Sequence, residues 1–324
     1  MSIVEYKNLS VSFNNSGHNI NAVNNVSFSL EEGKILGIVG ESGCGKSVTA
    51  MSLMRLINEP QGKINNGEIL FNGLDIVKLS EKDMTKIRGK EIAAIYQDPL
   101  TALNPVYTIG KQMVEAIITH KNINKIEGKT IAINMLKDVG IYRAEAIYNS
   151  YPNELSGGMR QRVLIAMALC SNPKILIADE PTTALDVTIQ AQILELLKDI
   201  REKYNMSIIM ITHDLGIVAE LCDKVVVMYA GQVVEEADIF ELFDNPLHPY
   251  TKALMNSRPN IDLEFEGIKR LPIIKGQVPS KIDELKNCYF LDRCDQCEEE
   301  CRKLSIPKLK DVNKSHKVSC HLIK

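Results

Sequence analysis

Ile35-Leu36-Gly37-Ile38-Val39-Gly40-Glu41-Ser42-Gly43-Cys44-Gly45-Lys46-Ser47 is an apolar run followed by a glycine-rich turn that closes on Lys-Ser. Residues 40–47 fit the phosphate-loop pattern G-x-x-x-x-G-K-[ST]. Glycines at these places let successive backbone N–H groups curl around phosphate oxygens without side-chain clashes. The helix expected over about 46–57 aims its positive dipole end at the same anion. On this reading Lys46 reaches the β- and γ-phosphates of a nucleotide, and the Ser47 hydroxyl ligates Mg²⁺. A glycine-rich turn alone is an ordinary loop. Strand, turn and helix in this order are the context the motif requires.

Upstream, short apolar strands at 11–13 and 23–30 alternate with turn residues and end at Glu31-Glu32-Gly33. Downstream, buried strands are expected at 92–96, 175–178, 207–211 and 224–229, with a helix over 189–204 as a βαβ crossover. Between about 99 and 155 the apolar spacing is helical, clearest at 109–119 and 131–139, which reads as a helical subdomain inserted into an α/β core. The strand Ile175-Leu176-Ile177-Ala178 ends in Asp179-Glu180. Side chains alternate along a strand, so the two carboxylates leave it in different directions. One can hold Mg²⁺ while the other addresses an attacking water. One acidic pair at a strand end is commonplace; beside a phosphate loop it is a second half of the same chemistry.

The bulk numbers bound the rest. At 324 residues one large domain plus a smaller one is the natural prior. Hydrophobic content of 45% and charged content of 24% are those of a soluble globular protein. The net charge of −3 gives no general attraction to nucleic acid, which ordinarily needs a basic face. The N-terminal MSIVEYKNLS lacks the charged-then-apolar pattern of a secretion signal. No apolar run approaches the ~18 residues that cross a bilayer, so at a membrane another chain must supply the span.

Leu155-Ser156-Gly157-Gly158-Met159-Arg160-Gln161 precedes the acidic strand. A lone Ser-Gly-Gly is weak, but the ordered set is specific: phosphate loop, Gln97, this segment, Asp179-Glu180, Ala184-Leu185-Asp186, His213. With it the chain resembles the ABC ATPase family over about residues 1–258. The resemblance implies an α/β fold of the ABC type: a RecA-like core with an antiparallel β subdomain and a helical subdomain at about 98–165. It also implies roles. Phe13 stacks on adenine; Gln97 senses the metal and γ-phosphate; Asp179, Ser47 and Gln97 attend Mg²⁺; Glu180 polarises the attacking water. His213 contacts the γ-phosphate, and Asp186 communicates with an opposite site. Ser156, Gly157 and Gly158 form a second anion-binding helix start, which in the family closes over ATP held by another subunit.

Further stretches narrow the resemblance. Gln97-Asp98-Pro99-Leu100-Thr101-Ala102-Leu103-Asn104-Pro105, YPNELSGGMRQRVLIAMAL, NPLHPYTKAL and Lys275-Gly276-Gln277-Val278-Pro279-Ser280 are similar to the ATPase subunits of oligopeptide and dipeptide importers, a group that includes nickel importers. This implies a chain peripheral to the cytoplasmic face of the cell membrane. Its partners would be a second, related but non-identical ATPase subunit, two membrane-spanning permease subunits and, indirectly, an external substrate-binding protein, with no nucleic acid. The alternatives are an importer of nickel or another solute, and a non-transport ABC ATPase, which typically carries two cassettes or long coiled-coil insertions.

After about 259 proline, lysine and cysteine become prominent, and a small Cys-rich extension is expected over 259–324. Five of the eight cysteines fall here: Cys288, Cys294, Cys297, Cys301 and Cys320, spaced C-x5-C-x2-C-x3-C-x18-C. In a cytosolic chain such crowding favours metal over disulfides, and thiolates this close can converge on one soft metal centre. The matching importer subunits carry four tail cysteines on a [4Fe–4S] cluster, to which Cys288, Cys294, Cys301 and Cys320 correspond, while Cys297 departs from the pattern. Zn²⁺ through Cys294 and Cys297 with two others is the alternative, and unligated thiols a third. With any of these metals the default role is structural, a staple for a tail with little core.

Overall fold

The computed structural model describes residues 1–15, 18–57, 60–97, 99–183, 185–257, 274–279 and 285–323. The boundary expected near 259, together with Asp98, Ala184 and Ser280, lies outside them. In chain order the strands are β1 (Ser2–Asn15), β2 (His18–Glu31), β3 (Ile35–Val39), β4 (Gly62–Phe71), β5 (Leu74–Asp75), β6 (Ile92–Ile95), β7 (Ile175–Asp179), β8 (Ser207–Thr212), β9 (Lys224–Tyr229), β10 (Gln232–Asp238), β11 (Lys310–Asp311) and β12 (His316–Val318). Two compact units emerge, one of residues 1–30, 36–77 and 212–324, the other of 31–35 and 78–211.

In the first unit β1 and β2 are far longer than the short strands expected at 11–13 and 23–30. The reason is a phase shift in each. Val4 and Tyr6 face the core, then Leu9 and Val11; Val23 faces it, then Val26, Phe28 and Leu30. The inward side thus changes parity at Asn8 and Asn25, both with left-handed backbone (φ 50° and 54°). A bulge at each asparagine absorbs the extra residue, leaving an N–H outside the ladder. Serines across the strand pair take these up: Asn8 N–H donates to Ser27 Oγ (2.8 Å) and Asn25 N–H to Ser10 Oγ (3.0 Å). Strict alternation is lost at these points, so a period-two reading truncates the strands. The resulting sheet has the order β2-β1-β4-β5, with β1 and β4 antiparallel.

The same unit holds β3 parallel to β9, β9 antiparallel to β10, and β10 antiparallel to the tail strand β12, which also pairs with β11. The helix after β3 is Lys46–Ser52, shorter than the expected 46–57. Its end tightens through i−3 bonds from the N–H groups of Leu53, Met54 and Arg55, and Arg55 turns left-handed (φ 50°), which stops the helix.

In the second unit β6, β7 and β8 are parallel, with Ile95 opposite Ala178 and Ile177 opposite Ile209. Both β7 and β8 are buried throughout, as parallel strands require. The helices Ile109–His120 and Lys125–Asp138 contain the apolar spacing expected at 109–119 and 131–139. They bury Met113, Ile117, Ala132 and Leu136. Thr108 caps the first helix, and Asn124 with Glu127 forms a capping box on the second.

The described tail packs in the first unit. Glu235 on β10 and His316 on β12 are both fully buried, with Glu235 Oε1 2.7 Å from His316 Nε2. The same carboxylate accepts the N–H groups of Leu247 (2.7 Å) and His248 (3.0 Å). Glu235→Ala removes the acceptor of the buried His248 N–H and the partly buried Leu247 N–H and strands a buried imidazole. Loss of one partner of a buried polar pair costs about 3–5 kcal/mol, so the melting midpoint should fall and the tail should become protease-sensitive; an unchanged midpoint would show that the network contributes nothing.

Candidate functional site

The first unit carries the phosphate loop. Gly40, Gly43 and Gly45 have φ of 150°, 79° and 93°, backbone that only glycine adopts cheaply. Two of these positions are also closed to a side chain by contact. A Cβ on Gly40 would lie 2.2 Å from the Met228 carbonyl oxygen, and one on Gly45 2.4 Å from that of Ala22. The loop is thus pressed against β9 on one side and β2 on the other. Buried Lys46 folds back over it, its Nζ donating to the carbonyls of Gly40 (2.8 Å) and Glu41 (3.0 Å). Ser42, Gly43 and Ser47 are exposed along the turn, while Cys44 is buried, its thiol pushed up in pKa chiefly by desolvation.

Glu41 is held at every polar group. Its N–H donates to Tyr250 Oη (2.8 Å), its carbonyl accepts from Lys46, and its carboxylate takes a two-pronged bond from Arg293 of the tail (2.7 and 2.9 Å). Sequence reasoning named Glu41 only as a loop position and missed Tyr250 and Arg293. The signal for Tyr250 was in NPLHPYTKAL. His248 caps the Pro249–Asn256 helix, its Nδ1 accepting from Tyr250 N–H (3.0 Å), and Pro249 occupies the first turn. Burial lowers the His248 pKa to about 4, so the ring is neutral and Nδ1 is available as an acceptor. Phe13 is half-buried in β1 with its ring against Gly62, where a Cβ would lie 2.6 Å from it. His213 is exposed just after β8, and Asp214 caps the following helix by accepting from Gly216 N–H (2.6 Å).

The second unit carries the carboxylates. Asp179 ends β7 and is buried. Glu180 follows with φ 47°, a strained position for a residue with a side chain. Its N–H is fixed on the Ile211 carbonyl (2.9 Å), and its Oε2 accepts from Gln97 Nε2 (2.8 Å) and Thr183 Oγ1 (2.9 Å). Gln97, named from sequence for another role, therefore also orients the carboxylate. Ser156 caps the Gly157–Leu169 helix through Met159 N–H (3.4 Å), and Ser156 and Gly157 are exposed, so the helix start faces outward. Gly158 has no room for a side chain, because a Cβ would meet Ile189 Cγ2 at 2.7 Å. Asp186 caps the Val187–Tyr204 helix by accepting from Ile189 N–H (3.0 Å).

In the tail all five cysteines, Cys288, Cys294, Cys297, Cys301 and Cys320, line one cavity with His248, Phe290, Leu291 and His321. Burial pushes the Cys288 thiol up to about 11, with further upward contributions from Cys320, Cys294 and Cys301. Cys294 and Cys320 are raised too, again mainly by burial and by neighbouring sulfurs. Among the described residues no group of three or more His, Cys, Asp or Glu side chains is placed to hold a metal ion. The four thiols expected as ligands share that pocket.

Gly45→Ala tests the loop. The added methyl would displace the turn from the Ala22 carbonyl and strain a positive φ. Strain of this kind is worth about 1–3 kcal/mol, so ATP affinity should fall by about tenfold or more while the far-ultraviolet circular dichroism stays the same. Unaltered affinity would mean that the loop conformation is not used for binding.

Residues 23–183 match the ABC transporter family model, and residues 234–301 match the model of the oligopeptide/dipeptide transporter C-terminal region. The chain is 50% identical over 299 residues to the oligopeptide transport ATP-binding protein AppD of Bacillus subtilis, covering 92% of this chain and 90% of that protein. It is 46% identical over 322 residues to the dipeptide transport ATP-binding protein DppD of Haemophilus influenzae, covering 99% and 96%. Among solved structures, a dimeric ATP-binding cassette in a post-hydrolysis state with ADP and Pi superposes with a TM-score of 0.65 at 29% identity, over 73% of this chain and 98% of that one. Among the described residues no helix is long and apolar enough to cross a membrane. The chain belongs to the ABC transporter family, within its group of oligopeptide and dipeptide transport ATP-binding proteins.

Proposed function

We propose that this chain is the ATP-hydrolysing subunit of an importer of di- or oligopeptides, working at the cytoplasmic face of the cell membrane. The observation that carries the reading is the folded phosphate loop of Lys46 in a chain that also fixes Glu180 with Gln97 and Thr183. The peptide class follows from the relatives, which are oligopeptide and dipeptide transport proteins over nearly the whole chain.

The residues divide the work. Residues 40–47 wrap the phosphates with backbone N–H groups, and Lys46 exchanges its loop carbonyls for phosphate oxygens. Phe13 offers a ring to the adenine. Ser47, Gln97 and Asp179 present the oxygen donors that suit Mg²⁺, which when bound neutralises phosphate charge. Glu180, aimed by Gln97 and Thr183, orients the attacking water and accepts its proton. His213 contacts the γ-phosphate. Ser156, Gly157 and Gly158 form the outward helix start that closes over the nucleotide of a second, related ATPase subunit, and Asp186 lies near that junction. ATP-driven pairing then moves two membrane-spanning permease subunits fed by an external binding protein.

The tail cysteines suit a [4Fe–4S] cluster held by Cys288, Cys294, Cys301 and Cys320. Support comes from their sharing one cavity and from the chemistry of four thiols beside one another. Zn²⁺ with Cys297 in the ligand set is the other reading, favoured by the turn in which Cys297 N–H donates to the Cys294 carbonyl (3.3 Å).

Glu180→Gln tests the catalytic assignment. ATP should bind within a few-fold of the unaltered chain, while steady-state phosphate release falls by about a hundredfold or more; undiminished turnover would sink the assignment. Iron, zinc and acid-labile sulfide per chain, on protein purified without oxygen, test the tail. About four irons with matching sulfide support the cluster, and stoichiometric zinc without sulfide replaces it by a structural zinc module.

A further inference from the structure

Arg293 belongs to the tail, at the end of the short turn Leu291–Arg293, yet its guanidinium reaches the second residue of the phosphate loop. The side chain is 5% exposed, against 29% for its partner Glu41. Nη1 and Nη2 bond the two carboxylate oxygens of Glu41 separately, the fork-on-fork geometry that lysine cannot reproduce. Nε donates to the Lys275 carbonyl (2.8 Å) and Nη1 to Tyr229 Oη (3.3 Å), so the guanidinium is aimed from three sides. The Tyr229 ring lies 5.6 Å beneath it and packs against Tyr250, whose hydroxyl holds the Glu41 N–H.

A carboxylate in a loop that takes a polyanion is an electrostatic problem. Glu41 sits next to Gly40 and four residues before Gly45, among backbone N–H groups meant for phosphate. Left bare, its charge would oppose the phosphates at short range, where like charges cost most. A tail residue that neutralises this charge and fixes the carboxylate away from the loop interior removes the problem.

We infer that Arg293 is a positioning residue for nucleotide binding: the tail reaches across to hold and neutralise Glu41 so that the phosphate loop can accept ATP. The inference rests on the ATP-binding role given above. It also gives the Lys275-Gly276-Gln277 stretch a purpose, since the Lys275 carbonyl aims the guanidinium, and Gly276 (φ 78°) turns the chain where a Cβ would sit 3.6 Å from the Arg293 side chain.

The test is a set of full-length variants assayed for Kd of a non-hydrolysable ATP analogue and for KM and kcat. Arg293→Gln should weaken nucleotide binding by about tenfold and raise KM in step, with kcat at saturating ATP within about twofold. Adding Glu41→Gln to Arg293→Gln should recover most of the loss, because the bare carboxylate is gone. An arginine that only fastens the tail predicts the opposite, a double variant no better than the single one, and that result overturns the inference. Wild-type affinity in a folded Arg293→Gln overturns it as well, while leaving the ATPase role intact. If the unaltered chain binds no ATP, the ATPase role fails first and the inference with it. Should Arg293→Gln not fold, Arg293→Lys takes its place: it keeps the charge and loses the fork, a loss of about threefold is expected, and wild-type affinity overturns the inference.

Discussion

Glu235 is a carboxylate with no access to water and three contacts to satisfy it. From β10 it accepts two successive main-chain N–H groups, Leu247 and His248, and meets the His316 ring of the tail strand. A buried carboxylate is tolerable only when its oxygens are fully used, so these partners are fixed once the residue is inside. Their fixing propagates. Holding His248 sets the start of the Pro249–Asn256 helix, which places Tyr250 under the Glu41 N–H. Holding His316 registers β12 on β10, which fixes the end of the tail near Cys320. The phosphate loop and the cysteine pocket are therefore supported from one buried point.

The tail is accordingly more than an appendage. Tyr289, Phe290, Cys301 and Val318 are buried, and Phe290 packs edge-on against Tyr229 and Tyr250. The aromatic cluster connects the cysteine pocket, which Phe290 lines, to the loop that carries Lys46. The sequence suggested little core in this region because its apolar residues follow no period. Phe290 packs against Tyr250 and Tyr229, 40 and 61 positions away, and such packing leaves no periodic trace.

Around the carboxylates the constraint is local strain. Glu180 carries a positive φ and is pinned by its own N–H, by Gln97 and by Thr183. A side chain held this firmly pays its ordering entropy at folding rather than during turnover. The glycines of the phosphate loop meet the opposite condition: they adopt positive φ without strain, and Gly40 and Gly45 accept contacts that no side chain would permit.

Elements whose rules are local can be read directly from the chain. The phosphate loop with its strand, the buried β7 ending at Asp179, and the helices Ile109–His120 and Lys125–Asp138 follow from patterns within a few residues, and each lies where the pattern puts it. The helix after the loop was read too long, because the left-handed turn at Arg55 has no marker such as glycine or proline. A period-two pattern gives N-terminal strands that are too short, because the bulges at Asn8 and Asn25 break the alternation and take their bonds from serines on the neighbouring strand. The long-range pairs are legible only once the chain has folded: β12 on β10, Glu235 with His316, Tyr250 and Arg293 on Glu41, Gln97 on Glu180. Each joins residues far apart in the chain, and its energy depends on burial and on hydrogen-bond geometry, neither of which exists until the chain has folded.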